Sequence, residues 1–286
     1  MNNKYTFHKF IELKPALEFM NQNSETSRII AGGTDILIEI RKEDKNLNPI
    51  NHIIDIHDIP TLRKIKIENN FCILGACCTH SEISTSKIIG EYFPVLKMAV
   101  DKIGSPQIRN VATIGGNICN LAACADSIAP LLVYDVNVRL CSTTGDRIVP
   151  LEKILLKPYI TDVQPDEILA EILLPLPEKN WKYCFYKLGR RSGVSISRLS
   201  YAIMLRSENN TIQEVRFAFG ALFSVPKRLY TLEKELVHQT ISNILWKDVS
   251  RKVASKILDE TGVRWSTSYK IPVIQQLLYK SLMDLT

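Results

Sequence analysis

Gly32-Gly33 in IIAGGTDILIEI and Gly115-Gly116 in TIGGNICNLAACAD strip the backbone of side chains in the middle of apolar text. Glycine reaches positive φ and carries no Cβ, so successive N–H groups can point into one concavity and come close to an anion. A diphosphate fits that description. In the first stretch Ile29, Ile30 and Ala31 read as the end of a strand, and Thr34 and Asp35 are good N-cap residues ahead of Ile36. The Gly32, Gly33 and Thr34 amides are therefore expected at a helix start, where partial positive charge collects. Taken singly, either loop serves a ligand-free strand-to-helix turn equally well. Neither pair belongs to G-x-G-x-x-G or to G-x-x-x-x-G-K-[ST], so the sequence supports neither a Rossmann site nor a P-loop, and a different cofactor-binding architecture is required.

The chain has 286 residues, 45% hydrophobic and 23% charged, enough for one large domain or two smaller ones and unlike a disordered or fibrous composition. The first residues lack the basic start and continuous apolar core of a signal peptide. No later run approaches the roughly 18 apolar residues of a membrane span, and the expected location is the cytoplasm. Seven cysteines, an odd number, argue against a disulfide framework and for buried thiols. Cys72 to Cys77 and Cys119 to Cys124 lack C-x-x-C spacing, so no zinc or iron–sulfur site is expected in this chain. His52, Asp55, His57 and Asp58 in HIIDIHD are metal ligands by type, but strand alternation divides them between two faces. The net charge of +6 lies in short clusters such as Arg63-Lys64 and Arg190-Arg191, ordinary solvated surface and a weak hint of anionic ligands.

Strands are expected at YTFHKFIEL, at Arg28 to Ala31 and at HIIDI, with a short helix around Pro15 to Asn21. Residues 52 to 78 read as sheet, and NNFCILGACC opens on a turn signal. SEISTSKIIGEYFPVLKMAVDKIG reads as two consecutive helices broken at Gly90 and Pro94. IAPLLVYD follows as a helix, VNVRLCSTTGDRIVPL as a hairpin turning at Thr144-Gly145-Asp146, and EILAEILLPLP as a strand. Pro175, Pro177, Glu178 and Lys179 form a linker-like point. Beyond it come three alternating strand patterns and helices near residues 231 to 260 and 270 to 284, an α+β unit. The tryptophans, Trp181, Trp246 and Trp265, are expected in core or subunit-contact positions.

Several spaced stretches resemble one family. They are AGGTD at 31 to 35, SPQIRNVATIGGNICN at 105 to 120 with Asp126 after it, PDEILAEILLPLP at 165 to 177, FYKLGRRSGVSISRLSYAI at 185 to 203, RFAFGALFSVPKR at 216 to 228 and VRWSTSYKIPVIQQLL at 263 to 278. Together they resemble the FAD-binding subunits of the molybdenum hydroxylases, among them the xanthine dehydrogenase flavoprotein subunit and the medium subunit of aerobic carbon monoxide dehydrogenase. The resemblance runs nearly end to end.

It implies an α+β fold. Residues 1–176 would be a two-lobed FAD-binding domain of the PCMH type, with lobes at about 1–58 and 59–176. Residues 180–286 would be a smaller α+β domain like the carbon monoxide dehydrogenase flavoprotein C-terminal domain. Non-covalent FAD would have its diphosphate wrapped by Ile29, Ile30, Ala31, Gly32, Gly33, Thr34, Asp35 and Ile36. Thr113, Ile114, Gly115, Gly116 and Asn117 would form a second wall of amides from the other lobe. Asn120 and Asp126 would lie near the ribityl or diphosphate side, Leu169 would contribute its backbone, and Lys187 would sit close to the flavin. The chain would carry no catalytic acid–base pair and no metal. Partner subunits would supply two [2Fe–2S] clusters and a molybdopterin centre acting on purines or other N-heterocycles, and NAD⁺ would take the electrons. Where many relatives read N-A-S-P-x-x-D, this chain has Asn120-Leu121-Ala122-Ala123-Cys124-Ala125-Asp126, and Ser195 stands where several carry an aspartate. A stand-alone flavin oxidase and a flavin-free assembly module are the rival readings.

Overall fold

The computed structural model describes residues 5–41, 50–191 and 194–286. Its first unit is a small parallel sheet of β1 (Thr6–Lys9), β2 (Ser27–Ile30) and β3 (His52–Asp55), in the order β1-β3-β2. The helix α1 (Leu13–Asn23) makes the crossover that two parallel strands need, and α2 (Ile36–Arg41) follows β2. Ala16, Leu17 and Met20 share one face of α1 and bury against Ile54 and Ile56. That core also takes Cys77, Cys141, Ile168 and Ala170 from the next unit, so the two lobes share an apolar seam.

The second unit is a five-stranded antiparallel sheet. It combines β4 (Ile65–Glu68), β5 (Phe71–Gly75), β6 (Asn137–Cys141), β7 (Asp146–Pro150) and, after the small hairpin of β8 (Leu155–Lys157) and β9 (Ile160–Thr161), β10 (Ile168–Pro175). The order β4-β5-β10-β6-β7 puts β10 in the centre, and Ile168, Leu169, Ala170, Ile172 and Leu174 are buried to match. Asn69 and Asn70 take φ of 50° and 64° in the two-residue turn from β4 to β5, a conformation that asparagine tolerates. Between β5 and β6 run α3 (His80–Thr85), α4 (Lys87–Tyr92), α5 (Pro94–Val100), α6 (Pro106–Arg109), α7 (Ile114–Asn120) and α8 (Ile128–Val133), while α9 (Leu151–Ile154) follows β7.

Three helices, α3 to α5, thus stand where the pattern predicts two. Ser86 ends α3 in an extended conformation and caps α4 by accepting from the Ile89 amide, and Pro94 opens α5. Gly90 lies inside α4 and breaks nothing.

The third unit is an antiparallel meander, β11 (Lys182–Leu188), β12 (Leu199–Glu208), β13 (Thr211–Gly220) and β14 (Lys227–Arg228), paired in sequence order. It is followed by α10 (Tyr230–Leu236), α11 (Asn243–Thr261) and α12 (Thr267–Asp284). Strand alternation explains why β12 is apolar almost throughout. Leu199, Tyr201, Ile203 and Leu205 pack with Trp246, Val253, Ile274 and Leu278 of the helices. Ala202 and Met204, on the opposite face, join Ala218 and Phe185 in the core of the second unit. Both faces of this sheet are therefore covered. Among the described residues no helix is long and apolar enough to cross a membrane.

Candidate cofactor-binding site

Ile29 and Ile30 end β2, with Ile30 paired to Asp55, and Ala31 carries the chain off the sheet. Gly32 lies against the other lobe. A Cβ there would sit 2.1 Å from the Val111 carbonyl oxygen and 2.8 Å from Ala112 Cα, so only glycine permits this approach of two backbones. Gly33 has φ +70°. Among the described residues, no protein acceptor meets the amides of Gly32, Gly33 or Thr34. The Thr34 hydroxyl donates to Asp35 Oδ2 at 2.9 Å, and the Asp35 carbonyl accepts from the Ile38 and Glu39 amides as α2 begins at Ile36.

The second glycine pair is used differently from expectation. Thr113 caps α7, its hydroxyl accepting from the Gly116 amide at 3.1 Å. Ile114 donates to the Cys78 carbonyl, Gly115 to the Ala76 carbonyl and Asn117 to the Thr113 carbonyl, at 3.0, 2.8 and 3.0 Å. These amides are bonded within the chain, unlike those of the first loop. The glycine at 115 is required by packing instead. A Cβ there would lie 2.6 Å from the Ala76 Cβ, so its absence lets α7 rest on the link between β5 and α3. What the segment offers outward is side-chain amide. Asn117 Oδ1 accepts from Ser127 at 2.6 Å, and Asn120 Nδ2 donates to Asp35 Oδ1 at 3.1 Å.

The fold thus joins the two glycine segments at two points, Gly32 on Val111-Ala112 and Asp35 on Asn120. Leu169, buried in β10 where the register shifts, is one residue from Ala170. The Ala170 carbonyl takes the Ala76 amide at 2.9 Å, and Ala76 in turn holds Gly115. Asp126 and Lys187 meet directly, Nζ to Oδ2 at 2.8 Å, with side chains only 4% and 9% exposed. Ser197 donates to Asp126 Oδ1 at 2.6 Å and Lys187 donates to the Lys102 carbonyl at 2.8 Å. Nothing local in the sequence marks Ser197 or Lys102, because these partners are brought together only by the third unit closing on the second.

Residues outside this cluster fall elsewhere. His52 faces His8, with Nδ1 to Nε2 at 3.1 Å, and Asp58 pairs with Lys9 and Arg63. Burial pushes the Cys72, Cys77, Cys78 and Cys141 thiols up to about 12, which makes them inert packing groups. Arg191 folds back on the Val194 carbonyl at 2.6 Å. Trp246 is a core residue, whereas Trp265 is 81% exposed and so lies outside the core of this chain.

Residues 3–177 match the family model described as the FAD binding domain in molybdopterin dehydrogenase, and residues 184–285 match that of the CO dehydrogenase flavoprotein C-terminal domain. The chain is 30% identical over 281 residues to the xanthine dehydrogenase FAD-binding subunit of Escherichia coli O157:H7, covering 98% of this chain and 95% of that one. It is 27% identical to the glyceraldehyde dehydrogenase medium chain of Sulfolobus acidocaldarius, over 98% of both chains. Among solved structures, carbon monoxide dehydrogenase from Hydrogenophaga pseudoflava superposes with a TM-score of 0.90 at 22% identity, covering 100% of this chain and 98% of that one, so the fold is shared.

Proposed function

The chain belongs to the family of FAD-binding domains of molybdopterin dehydrogenases, and from that premise we propose that it is the electron-exit subunit of a xanthine dehydrogenase-like complex, with NAD⁺ as acceptor. The observation that carries the reading is the loop from Gly32 to Thr34, whose three amides meet no protein acceptor among the described residues and whose Gly33 holds φ +70°. Such a loop fits a diphosphate, since charged oxygens accept from converging N–H groups. The proposed FAD-contacting set is Ile29 to Ile36, Thr113 to Asn117, Asn120, Asp126, Leu169 and Lys187, the 113–117 segment by its outward surface and the Asn117 side chain rather than by its bonded amides. Within it the first loop holds the diphosphate by its backbone. Asn117 and Asn120 offer side-chain amides, and the Lys187–Asp126 pair holds the third unit against the cleft.

When bound, FAD supplies the redox chemistry, receiving electrons from [2Fe–2S] clusters on a small partner subunit and yielding them to NAD⁺. This chain's residues bind, orient and exclude water, and no acid–base pair is asked of them. The hydroxylation of a purine or related N-heterocycle belongs to a molybdopterin-bearing large subunit. The similarity to the E. coli xanthine dehydrogenase subunit supports xanthine or hypoxanthine ahead of nicotinate.

The test is the absorbance of the purified chain before and after adding FAD, with bands expected near roughly 370 and 450 nm and released as free FAD on denaturation. Well-folded protein that shows no bands with FAD added removes the function. An assembled complex that reduces dyes and oxygen but never NAD⁺ removes the acceptor.

A further inference from the structure

Three cations gather near the Lys187–Asp126 pair with no acid of their own among the described residues. Arg198 stands just before β12, Arg264 in the turn from α11 to α12, and Lys270 in the first turns of α12. Among the described residues no carboxylate lies within ion-pair distance of any of them, whereas Arg216, Arg228 and Lys187 are all paired. Burial lowers the Lys270 pKa, and the nearby charges of Arg198 and Arg264 lower it further.

A second observation is an exposed aromatic ring beside one of the three cations. The Trp265 indole is 81% exposed, with the Arg198 guanidinium 5.3 Å from the ring centroid. A large ring left in water beside a stacked guanidinium is the platform that planar bases occupy.

The position follows from two hydrogen-bonded ties. Ser197, the neighbour of Arg198, donates to Asp126 at 2.6 Å. Lys270 donates to the Ala221 carbonyl at 2.8 Å, and the Ala221 amide donates to the Ala123 carbonyl at 3.0 Å. The cluster is thus fastened at both sides to residues 123–126, the segment that leads from the α7 wall to Asp126.

We infer that Arg198, Arg264 and Lys270, with the Trp265 indole, dock the acceptor dinucleotide, the cations taking its diphosphate and the indole one of its planar bases. This rests on the reading of NAD⁺ as the acceptor and assigns that acceptor its place. FAD is assigned to the amide loop at Gly32 to Thr34, so the two sites share no residue, and the acceptor's second base is left free to reach the flavin.

The probe is ADP-ribose, which carries the diphosphate and an adenine but no redox group, titrated calorimetrically into the FAD-loaded full chain at low salt. One-to-one binding is expected, weakening with added salt, with quenching of tryptophan fluorescence that is absent in Trp265→Ala. Arg264→Gln and Trp265→Ala each raise Kd roughly tenfold or more. Both side chains are exposed, so melting curves should be unchanged, and Trp265→Phe should retain most of the affinity. Unchanged ADP-ribose affinity in both variants overturns the site. If NADH also bleaches the flavin of wild type and of the Arg264→Gln, Trp265→Ala double variant with equal KM, the acceptor reading stands while the site falls. If wild-type protein binds no ADP-ribose and NADH leaves its flavin oxidised, both fall.

Discussion

Replacing Gly32 by alanine separates the diphosphate loop from the second lobe. The added Cβ would lie 2.1 Å from the Val111 oxygen and 2.8 Å from Ala112 Cα, and both neighbours are backbone, which cannot rotate away. Ordinary contact begins at 3.4 Å, so the loop must retreat by about 1.3 Å. Overpacking of this kind costs about 1–3 kcal/mol of folding stability. The effect on the cofactor is larger, because a shift of that size misaligns the Gly32, Gly33 and Thr34 amides together. Each hydrogen bond to a charged oxygen is worth about 1.5–3 kcal/mol, so losing two weakens FAD by roughly 10²- to 10⁴-fold in Kd. The assay is flavin stoichiometry of the purified protein by absorbance, with Kd from quenching of FAD fluorescence by the apoprotein. Gly145→Ala is the comparator. That hairpin glycine has φ +142° and nothing within 4 Å of an added Cβ, so the change strains a turn and leaves FAD binding untouched. A Gly32→Ala protein that is folded and binds FAD with wild-type affinity refutes the cradle.

Three other outcomes are expected. Lys187→Met or Asp126→Ala, each leaving a buried charge alone, lowers the unfolding free energy by about 3–5 kcal/mol in urea melts, and the double change costs less than the sum; additive losses refute the coupling. His80 is fully buried with neither ring nitrogen partnered among the described residues, and burial, with the Arg109 charge adding, pushes its pKa down to about 4 from 6.5. The unfolded chain binds that proton near pH 6.5 and the folded chain only near 4, so about 3 kcal/mol of stability, fully present above 6.5, is lost as pH falls through that window; an unchanged slope in His80→Leu refutes the assignment. Finally, a thiol reagent at pH 8 should leave Cys72, Cys77, Cys78 and Cys141 unmodified in the folded protein and reach all seven cysteines only after denaturation; early labelling of any of the four contradicts their burial.

The elements with strong local signals were legible in the sequence. The hairpins at Asn69-Asn70 and around Gly145 announce themselves by turn chemistry, and β10 and β12 by long apolar runs. The helical stretch between residues 80 and 100 is less legible, because Gly90 and Pro94 are its conspicuous breaks while the serine at 86 acts as stop and cap at once. A serine hydroxyl caps or faces solvent according to the backbone around it, and periodicity alone does not separate the two.

The second glycine pair marks the limit more sharply. Glycine at 115 could be seen to be a position where a side chain would collide, but not with what. The answer is Ala76 of the same lobe, and the amides expected to face a ligand are bonded inward. For Trp265 residue type suggests a core or a subunit-contact position alike, and only the structure, with the ring 81% exposed in the turn after Gly262, takes it out of this chain's core.

The sequence by itself therefore determined the strand and helix inventory, the family, and the glycines at which backbone must pass close to something, since these depend on local geometry and on spaced identities. Only the tertiary structure decided which of those backbones are bonded to protein and which keep open amides, and which side chains 60 or more residues apart pair or stay unpaired. Sites such as Lys187 with Asp126 and Ser197, or Arg198 with Trp265 and Lys270, exist only where separate units close on one another, and neither charge nor burial at such a seam is a property of any one stretch of chain.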